Sequence, residues 1–220
     1  YNNTKLATEM KVENIDTINM VKNHIRTLNV IDDRVLNVLK EVQRNLFVPN
    51  AYKNFAHLDI NIPIEGGQHM LMPSVEAKLL QALNIKSHEN ILVIGSGTGY
   101  LSSCVSLLGS TVFSIDINKK LADLSEKNSK QSFLKNNMLF KHMDILGDLS
   151  IIKKYDVIIL TSSIDTSDII ANNMSHNSRS FIFLGDYDSP IKTGMVFSKL
   201  KESGSLVEQV LETNVKALII

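Results

Sequence analysis

A run of apolar residues that ends in three closely spaced glycines constrains this chain more than any other feature. Ile91–Ile94 are typical of a short, fully buried strand. Gly95, Gly97 and Gly99 follow at once, and an apolar helical pattern begins at Tyr100. A strand, a glycine turn and a helix in this order present free backbone N–H groups and a surface without side chains at the carboxyl edge of a sheet. The pattern therefore predicts an α/β fold with a nucleotide-like cofactor at that edge.

The spacing of the glycines narrows the kind of cofactor. Dinucleotide-binding turns have Gly-x-Gly-x-x-Gly, and the pyrophosphate rests on the N-terminus of the following helix. Here the third glycine, Gly99, comes one residue earlier. This spacing favours a cofactor without a pyrophosphate, which we interpret as S-adenosyl-L-methionine.

An acidic residue after the next strand supports this interpretation. The apolar run 111–116 ends in Asp116, about 20 residues after the first glycine, where an acid accepts hydrogen bonds from ribose hydroxyls. The alternative role of Asp116 is to cap the following helix. The combination of the glycine turn and the acid at this separation favours ribose binding.

Apolar patterns after Pro73 alternate between helix and strand. Helices are predicted at about 74–83, 101–108, 119–132 and 165–174, and strands at 91–94, 112–115, 138–143, 156–160 and 180–184. Two further strands, 195–201 and 206–212, are joined by a turn at 202–205 that suits a hairpin. This order predicts a Rossmann-like fold with a seven-stranded mixed sheet, mostly parallel and closed by an antiparallel hairpin.

The region before this alternation predicts a helical cap. Apolar residues recur at helical spacing over 15–28 and again over 35–42, and an irregular segment, 51–73, follows. Loops of that length in compact domains are usually functional or disordered, and the apolar content of this one favours function. A length of 220 residues fits one domain. We expect a single domain, 1–220, with the cap and an active-site loop at about 13–73 and the cofactor-binding core at 74–220.

Charge and composition exclude several classes of partner. Lys plus Arg equals Asp plus Glu, 23 each, so no net charge attracts nucleic acid or an anionic membrane. No apolar stretch reaches the length of a membrane span, and no basic segment precedes an apolar core near the start, so we expect a cytoplasmic protein. The only cysteine, Cys104, lies in an apolar helical pattern and is expected to be buried. The histidines lack the spacing of metal ligands, so no metal is expected.

Several segments outside the glycine turn indicate a particular family. They are Met20-Val-Lys-Asn-His-Ile-Arg-Thr27, Asp33-Arg-Val-Leu36, Asn45-Leu-Phe-Val-Pro49, Gly66-Gly-Gln-His-Met-Leu-Met-Pro73, Tyr155-Asp-Val-Ile-Ile-Leu-Thr161 and Val215-Lys-Ala-Leu-Ile219. Together with the glycine turn they resemble the protein-L-isoaspartate O-methyltransferases, which are class I S-adenosylmethionine-dependent methyltransferases. The resemblance runs from about residue 15 to the end.

The resemblance implies methylation of the free carboxylate of an isoaspartyl residue in damaged protein, which is a repair reaction. It also implies roles for individual positions. The methionine and ribose part of the cofactor would lie against the glycine turn, the ribose on Asp116, the adenine amine on Asp144 and the adenine ring on Ile145. The cofactor-binding set implied is Gln68, His69, Met70, Gly95, Ser96, Gly97, Thr98, Gly99, Asp116, Ile117, Asp144, Ile145 and Thr161. Residues 68–71 would separate the cofactor from an isoaspartyl peptide.

Two positions at the expected reaction centre depart from the family pattern. Leu71 stands where the family has a hydroxyl-bearing residue, and His69 stands where it has a threonine. An ionised carboxylate needs no general base, whereas an amine or hydroxyl acceptor would need one, and His69 is the candidate. A histidine that only hydrogen-bonds in the cap loop is the alternative. The sequence therefore leaves open a same-fold methyltransferase with another small-molecule or protein acceptor, and a non-catalytic cofactor-binding member. It does not indicate an oligomeric state.

Overall fold

The computed structural model describes residues 15–132, 136–200 and 204–218. The first two residues of the predicted cap, 13 and 14, and the first two of the predicted 202–205 turn lie outside these ranges. The division into a cap at 13–73 and a core at 74–220 stays a prediction.

The N-terminal part of the described chain is built from short helices. Helix α1, Ile15–Asn19, continues as a π-helical turn, Met20–His24, and a 3-10 turn, Ile25–Leu28. Helix α2, Asp33–Glu41, is capped by Asp32, whose carboxylate accepts a hydrogen bond from the N–H group of Arg34. Two further 3-10 turns, Arg44–Leu46 and Asn50–Phe55, lead into a small antiparallel pair formed by β1, Ile62–Pro63, and β2, His69–Met70.

The remaining elements form a sandwich of helices around one large sheet. The helices are α3 Pro73–Leu83, α4 Tyr100–Leu108, α5 Lys119–Gln131 and α6 Asp168–Ala171; 3-10 turns cover Ile145–Gly147 and Leu149–Lys154; the strands are β3 Asn90–Ile94, β4 Thr111–Asp116, β5 Met138–His142, β6 Val157–Ile164, β7 Arg179–Leu184, β8 Lys192–Lys199 and β9 Ser205–Thr213. The sheet order is β5-β4-β3-β6-β7-β8-β9. The five strands β3 to β7 are parallel to one another, and β8 and β9 are antiparallel to their neighbours. The predicted seven-stranded mixed sheet with a closing antiparallel hairpin is confirmed.

Both faces of the sheet are covered, which explains why the central strands are continuously apolar. In β3, Ile91 and Val93 pack against the core that includes α3 and α4. Leu92 and Ile94 point to the other face and pack with the apolar residues of 145–152 and 170–174. Because β3 to β6 are parallel, their carboxyl ends meet at one edge of the sheet. No helix among the described residues is both long and apolar enough to cross a membrane.

Three predicted elements have bounds that are wrong by three residues or more. Strand β8 is Lys192–Lys199, whereas the prediction was 195–201. Strand β6 extends through Ile164, beyond the predicted end at Leu160, because after a bulge Ser163 and Ile164 pair with Phe183 and Leu184 of β7. On its other side, the N–H group of Ser163 donates to the carbonyl of Lys216, and its carbonyl accepts from the N–H group of Leu218, both at 2.8 Å. Helix 165–174 was predicted too long, since only Asp168–Ala171 is α-helical and two asparagines, which are weak helix formers, follow it.

Candidate active site

A crevice opens at the edge where the parallel strands end. Its floor and sides come from the ends of β3, β4, β5 and β6, and its roof comes from the loop before β2 and from residues 217–218. In open α/β sheets, ligands bind in such a crevice at the carboxyl ends of the strands, where the strand order reverses. Nine residues of the predicted cofactor set line it: Gln68, His69, Gly95, Gly97, Asp116, Ile117, Asp144, Ile145 and Thr161.

The backbone N–H groups of the glycine turn are mostly engaged inside the protein. Those of Gly95 and Ser96 donate to the carbonyl of Ile115 at 2.9 and 3.0 Å, and that of Gly99 donates to the carbonyl of Ser96 at 2.9 Å. The N–H group of Gly97 donates to a carboxylate oxygen of Asp116 at 3.0 Å. The expectation of free N–H groups is therefore wrong for these four residues. The turn does not present a row of N–H groups to a phosphate.

The glycines at 95 and 99 are required by close approach of neighbouring elements. Gly95 has φ +92°, and a Cβ there would lie 2.2 Å from the hydroxyl oxygen of Thr161. That hydroxyl donates to the carbonyl of Gly95 at 2.9 Å, so β6 lies directly against the turn. Gly99 has φ +89°, and a Cβ there would lie 2.7 Å from the carbonyl oxygen of Ser125 in α5. Gly99 thus lets α4 and α5 pack together and lies behind the turn, away from the crevice. Ser96 and Thr98 line a smaller cavity on the other side of the turn.

Asp116 connects the end of β4 with the glycine turn. One carboxylate oxygen accepts hydrogen bonds from the N–H group of Gly97 and, at 3.3 Å, from the hydroxyl of Ser96. The other accepts from the N–H group of Asn118 at 2.9 Å. Helix α5 is capped by Asn118 instead, whose side chain accepts from Lys120. The alternative role of Asp116 as the cap of α5 is therefore excluded, and the carboxylate borders the crevice with one of its about four acceptor sites unused.

The far end of the crevice is apolar with one exposed acid. Ile117 and Ile145 line it together with Met143 and Leu121. Asp144 borders the same space, and its carboxylate accepts a hydrogen bond from the N–H group of Leu146 at 2.9 Å. Asp144 therefore caps the turn that follows β5 while one carboxylate oxygen stays available to a ligand.

Residues Gln68–Leu71, which we call the wall, close the other side of the crevice. Met70 and His69 pair with Ile62 and Pro63 in the two-stranded β1–β2 sheet. The polar members, Gln68 and His69, face the crevice, whereas Met70 and Leu71 are buried. A cavity of about 40 Å³, lined by Met70 and Leu71 among others, separates the wall from the glycine turn.

The only titratable side chain of the wall is His69. Burial lowers the pKa of this imidazole, and the nearby ammonium of Lys216 lowers it further. A neutral imidazole can accept a proton, so His69 could act as a base. Three hydroxyl groups lie near the end of β6 that borders the crevice. That of Thr161 donates to backbone carbonyls, whereas those of Ser162 and Ser163 are buried without a hydrogen-bond partner among the described residues.

Sequence reasoning missed several residues of the crevice: Ile64, Asn118, Leu121, Met143, Ser162, Ala217 and Leu218. Those adjacent to predicted residues, such as Asn118 and Met143, could have been found by extending each strand end by one or two positions. Ala217 and Leu218 could not, because the bridge between β6 and this segment depends on tertiary pairing. Within the described ranges, no cluster of histidine, cysteine or acidic residues could hold a metal ion.

The described elements and the crevice define a class of fold, the Rossmann-like methyltransferase fold, and solved structures share it. A candidate protein-L-isoaspartate O-methyltransferase from Plasmodium falciparum, in complex with S-adenosyl-L-homocysteine, has a TM-score of 0.77 at 19% identity and covers 91% of this chain and 96% of its own. A protein-L-isoaspartate O-methyltransferase also has a TM-score of 0.77 at 19% identity and covers 92% of this chain and 65% of its own. At this identity the likeness establishes the fold.

Sequence comparison assigns the family. Residues 16–169 match the model of the protein-L-isoaspartate(D-aspartate) O-methyltransferase family, and the chain belongs to that family. Protein-L-isoaspartate O-methyltransferase 2 of Shewanella sediminis is 36% identical over 108 residues, which are 49% of this chain and 44% of the relative. Protein-L-isoaspartate O-methyltransferase 1 of Syntrophobacter fumaroxidans is 39% identical over 103 residues, 47% of this chain and 48% of the relative. The chain thus spans about half the length of the curated relatives it matches.

Proposed function

We propose that this chain binds S-adenosyl-L-methionine and transfers its methyl group to the free carboxylate of L-isoaspartyl residues in damaged proteins or peptides. The observation that carries the proposal is the crevice itself, in which Asp116 and the glycine turn face the wall across a space open to a ligand. We place this activity in the cytoplasm, since the only cysteine, Cys104, is buried and cannot form an internal disulfide.

The residues present fit the cofactor. Asp116 can accept hydrogen bonds from ribose hydroxyls, and Ile117 and Ile145 offer apolar surface to an adenine ring beside the carboxylate of Asp144. The engaged N–H groups of the glycine turn argue against a pyrophosphate and agree with a cofactor that lacks one. When bound, S-adenosyl-L-methionine supplies an electrophilic methyl group on a sulfonium.

The chain's own task in this reaction is positioning. An acceptor carboxylate is ionised at neutral pH and is already a nucleophile, so no side chain has to remove a proton. The wall has to hold the acceptor oxygen about 3–3.5 Å from the methyl carbon, in line with the leaving sulfur, and to exclude water. Its buried half, Met70 and Leu71, provides an apolar boundary, and its polar half, Gln68 and His69, faces the ligand space.

Methyl transfer to matched peptides tests the proposal. Labelled S-adenosyl-L-methionine is incubated with the protein and either an isoaspartyl peptide or the same peptide with aspartate. We expect label only in the isoaspartyl peptide, and we expect base to release it, as it releases a methyl ester. Equal incorporation into the two peptides, or none into either, would contradict this function.

A second candidate is a methyltransferase of the same fold with an amine or hydroxyl acceptor. It is favoured by Leu71, which offers no hydroxyl to orient a carboxylate, and by the lowered pKa of His69. Such an acceptor must lose a proton, and a neutral imidazole could take it. A base-stable methylated product in an acceptor screen would support this candidate.

The substitution His69→Ala separates the two candidates. If the acceptor is a carboxylate, we expect any loss of methyl-transfer rate to be the same at every pH, because His69 then only helps to position the ligands and no base is needed. A loss of about 100-fold, with the pH dependence of the rate abolished, would make His69 a general base and would favour the amine or hydroxyl acceptor. Binding of S-adenosyl-L-homocysteine, measured by calorimetry, checks that the variant keeps its cofactor site.

A further inference from the structure

One arginine behind the wall is completely buried. The side chain of Arg44 has no exposed surface and is the largest of the fully buried side chains in the described part of the chain. One nitrogen of its guanidinium donates to the carbonyl of Leu71 at 2.6 Å, and another donates to the carboxylate of Glu76. The guanidinium also lies over the ring of Tyr100, with its carbon 4.5 Å from the ring centroid. Each of its three contacts is therefore with a different segment.

These three segments are the ones that frame the space for the cofactor. Leu71 ends the wall, Glu76 lies in the first turn of α3, and Tyr100 opens α4 directly after the glycine turn. All three line the cavity of about 40 Å³ between the wall and the turn. Through Arg44, the position of the wall is tied to the position of the helix that the glycine turn begins.

The buried arginine is better explained by the geometry that its guanidinium fixes than by a gain in stability. A buried ion pair gives little net stability, because the cost of removing two charges from water offsets most of their attraction. A guanidinium, however, is a rigid planar fork that fixes two hydrogen-bond acceptors relative to each other while stacking on an aromatic ring. In Arg44 those acceptors are a backbone carbonyl of the wall and a side chain of α3.

We propose that Arg44 is a positioning residue that holds the wall at its working distance from the glycine turn and so shapes the subsite for the amino-acid end of the cofactor. The proposal rests on the proposed function for the identity of the ligand. In that binding mode the adenosine end lies by Asp116 and Asp144, and the amino-acid end reaches the cavity beneath Leu71. Arg44 acts on this end through the Leu71 carbonyl without touching the ligand.

Two variants and one matched control test the proposal. Arg44→Lys keeps the charge beside Glu76 but lacks the fork that reaches Leu71 as well. The double variant Arg44→Met/Glu76→Leu removes both charges together, which avoids leaving an unpaired carboxylate in the core. Arg179→Lys is the control, because Arg179 makes a comparable pair with Glu89 and a hydrogen bond to the carbonyl of Leu83, far from the wall.

Hydrogen exchange on the free protein is the first measurement. We expect the backbone amides of 68–71 to exchange at least about tenfold faster in both Arg44 variants, because a hydrogen bond that involves a charged group is lost. In Arg179→Lys they should exchange at the wild-type rate. Wall amides that exchange at the wild-type rate in a folded Arg44 variant would overturn the proposal, whatever the ligand is.

Calorimetry with two ligands is the second measurement. S-adenosyl-L-homocysteine has the amino-acid end, and 5′-methylthioadenosine lacks it. We expect the Arg44 variants to bind the first about tenfold more weakly and the second as the wild type does. An equal loss for both ligands would indicate general destabilisation and would reject the positioning role. If the wild type binds neither ligand, the proposed function fails, and the exchange experiment alone decides the role of Arg44.

Discussion

Replacement of Asp116 by asparagine tests the cofactor site most directly. The carboxylate accepts hydrogen bonds from Gly97, Ser96 and Asn118, and both of its oxygens are used. An amide of the same shape presents an NH₂ group where one oxygen stood, so one of these N–H or O–H donors faces another donor. The variant also removes the negative charge that we propose holds the ribose hydroxyls.

The expected loss of affinity follows from the hydrogen bonds involved. One hydrogen bond to a charged group contributes about 1.5–3 kcal/mol, and each 1.4 kcal/mol is a factor of ten in Kd. If the variant loses one such bond to the ribose, S-adenosyl-L-homocysteine should bind about 10- to 150-fold more weakly. The misplaced amide should also lower the free energy of unfolding by about 1–3 kcal/mol.

Isothermal titration calorimetry with S-adenosyl-L-homocysteine measures the effect, and denaturant unfolding confirms that the variant is folded. Asp123→Asn is the matched control, since Asp123 lies on the next helix, is 63% exposed and pairs with Lys119 on the surface. We expect its Kd to equal the wild-type value. A folded Asp116→Asn variant that binds the ligand within threefold of the wild type would refute the assignment of Asp116 to the ribose and, with it, our interpretation of the glycine turn.

Two further predictions concern stability. Burial raises the pKa of Glu76 from its ordinary value of 4.5 to about 7, although the guanidinium of Arg44 opposes the rise, so Glu76 takes up a proton on folding between these two pH values and its pair with Arg44 is fully ionic only above them. The stabilisation that this proton provides is present below pH 4.5 and is lost as the pH rises towards 7. Relative to Glu76→Gln, the free energy of unfolding of the wild type, measured with denaturant, should fall by up to about 1.4 kcal/mol per pH unit over this range. A difference between the two proteins that does not change with pH would contradict this. Gly99→Ala should destabilise the protein by ~1–3 kcal/mol or more, because alanine is strained at φ +89° and its Cβ meets the carbonyl of Ser125. Gly147→Ala, with open space around its Cβ, should change stability by less than ~0.5 kcal/mol; equal effects of the two substitutions would show that close packing at Gly99 is not limiting.

The parts of the fold that could be predicted from sequence are those in which local pattern and tertiary environment agree. Strand β3 is apolar from Ile91 to Ile94 because both faces are covered, and its end is marked by Gly95. The π-helical turn 20–24 has no such mark, and neither does the extension of β6 through Ser163. That extension depends on a bulge and on pairing with β7 and with the segment 216–218, which no local pattern in β6 indicates.

The same distinction holds within the candidate site. Asp116 was predicted from its separation from the glycines, and the structure adds why the separation matters: the carboxylate reaches back to the N–H group of Gly97. The prediction that the turn offers free N–H groups was wrong, because the carbonyl of Ile115 takes two of them. Arg44 was missed altogether. An arginine among polar residues is expected at the surface, and only the fold shows that Arg44 is buried.

The placement of charge in this molecule agrees with the chemistry that we propose. An enzyme that deprotonates its acceptor needs a titratable group in contact with it, whereas one that methylates a carboxylate needs fixed geometry. The buried pair of Arg44 and Glu76 lies behind the wall, where it holds Leu71 in place. An apolar residue at position 71 is consistent with this arrangement, because the backbone of the wall, and not a side-chain hydroxyl, is what Arg44 holds. We infer that the geometry of the wall compensates for the missing hydroxyl, so that Leu71→Ser should raise isoaspartyl methylation by no more than a few-fold, less than the roughly tenfold that a newly made hydrogen bond to a charged acceptor would give.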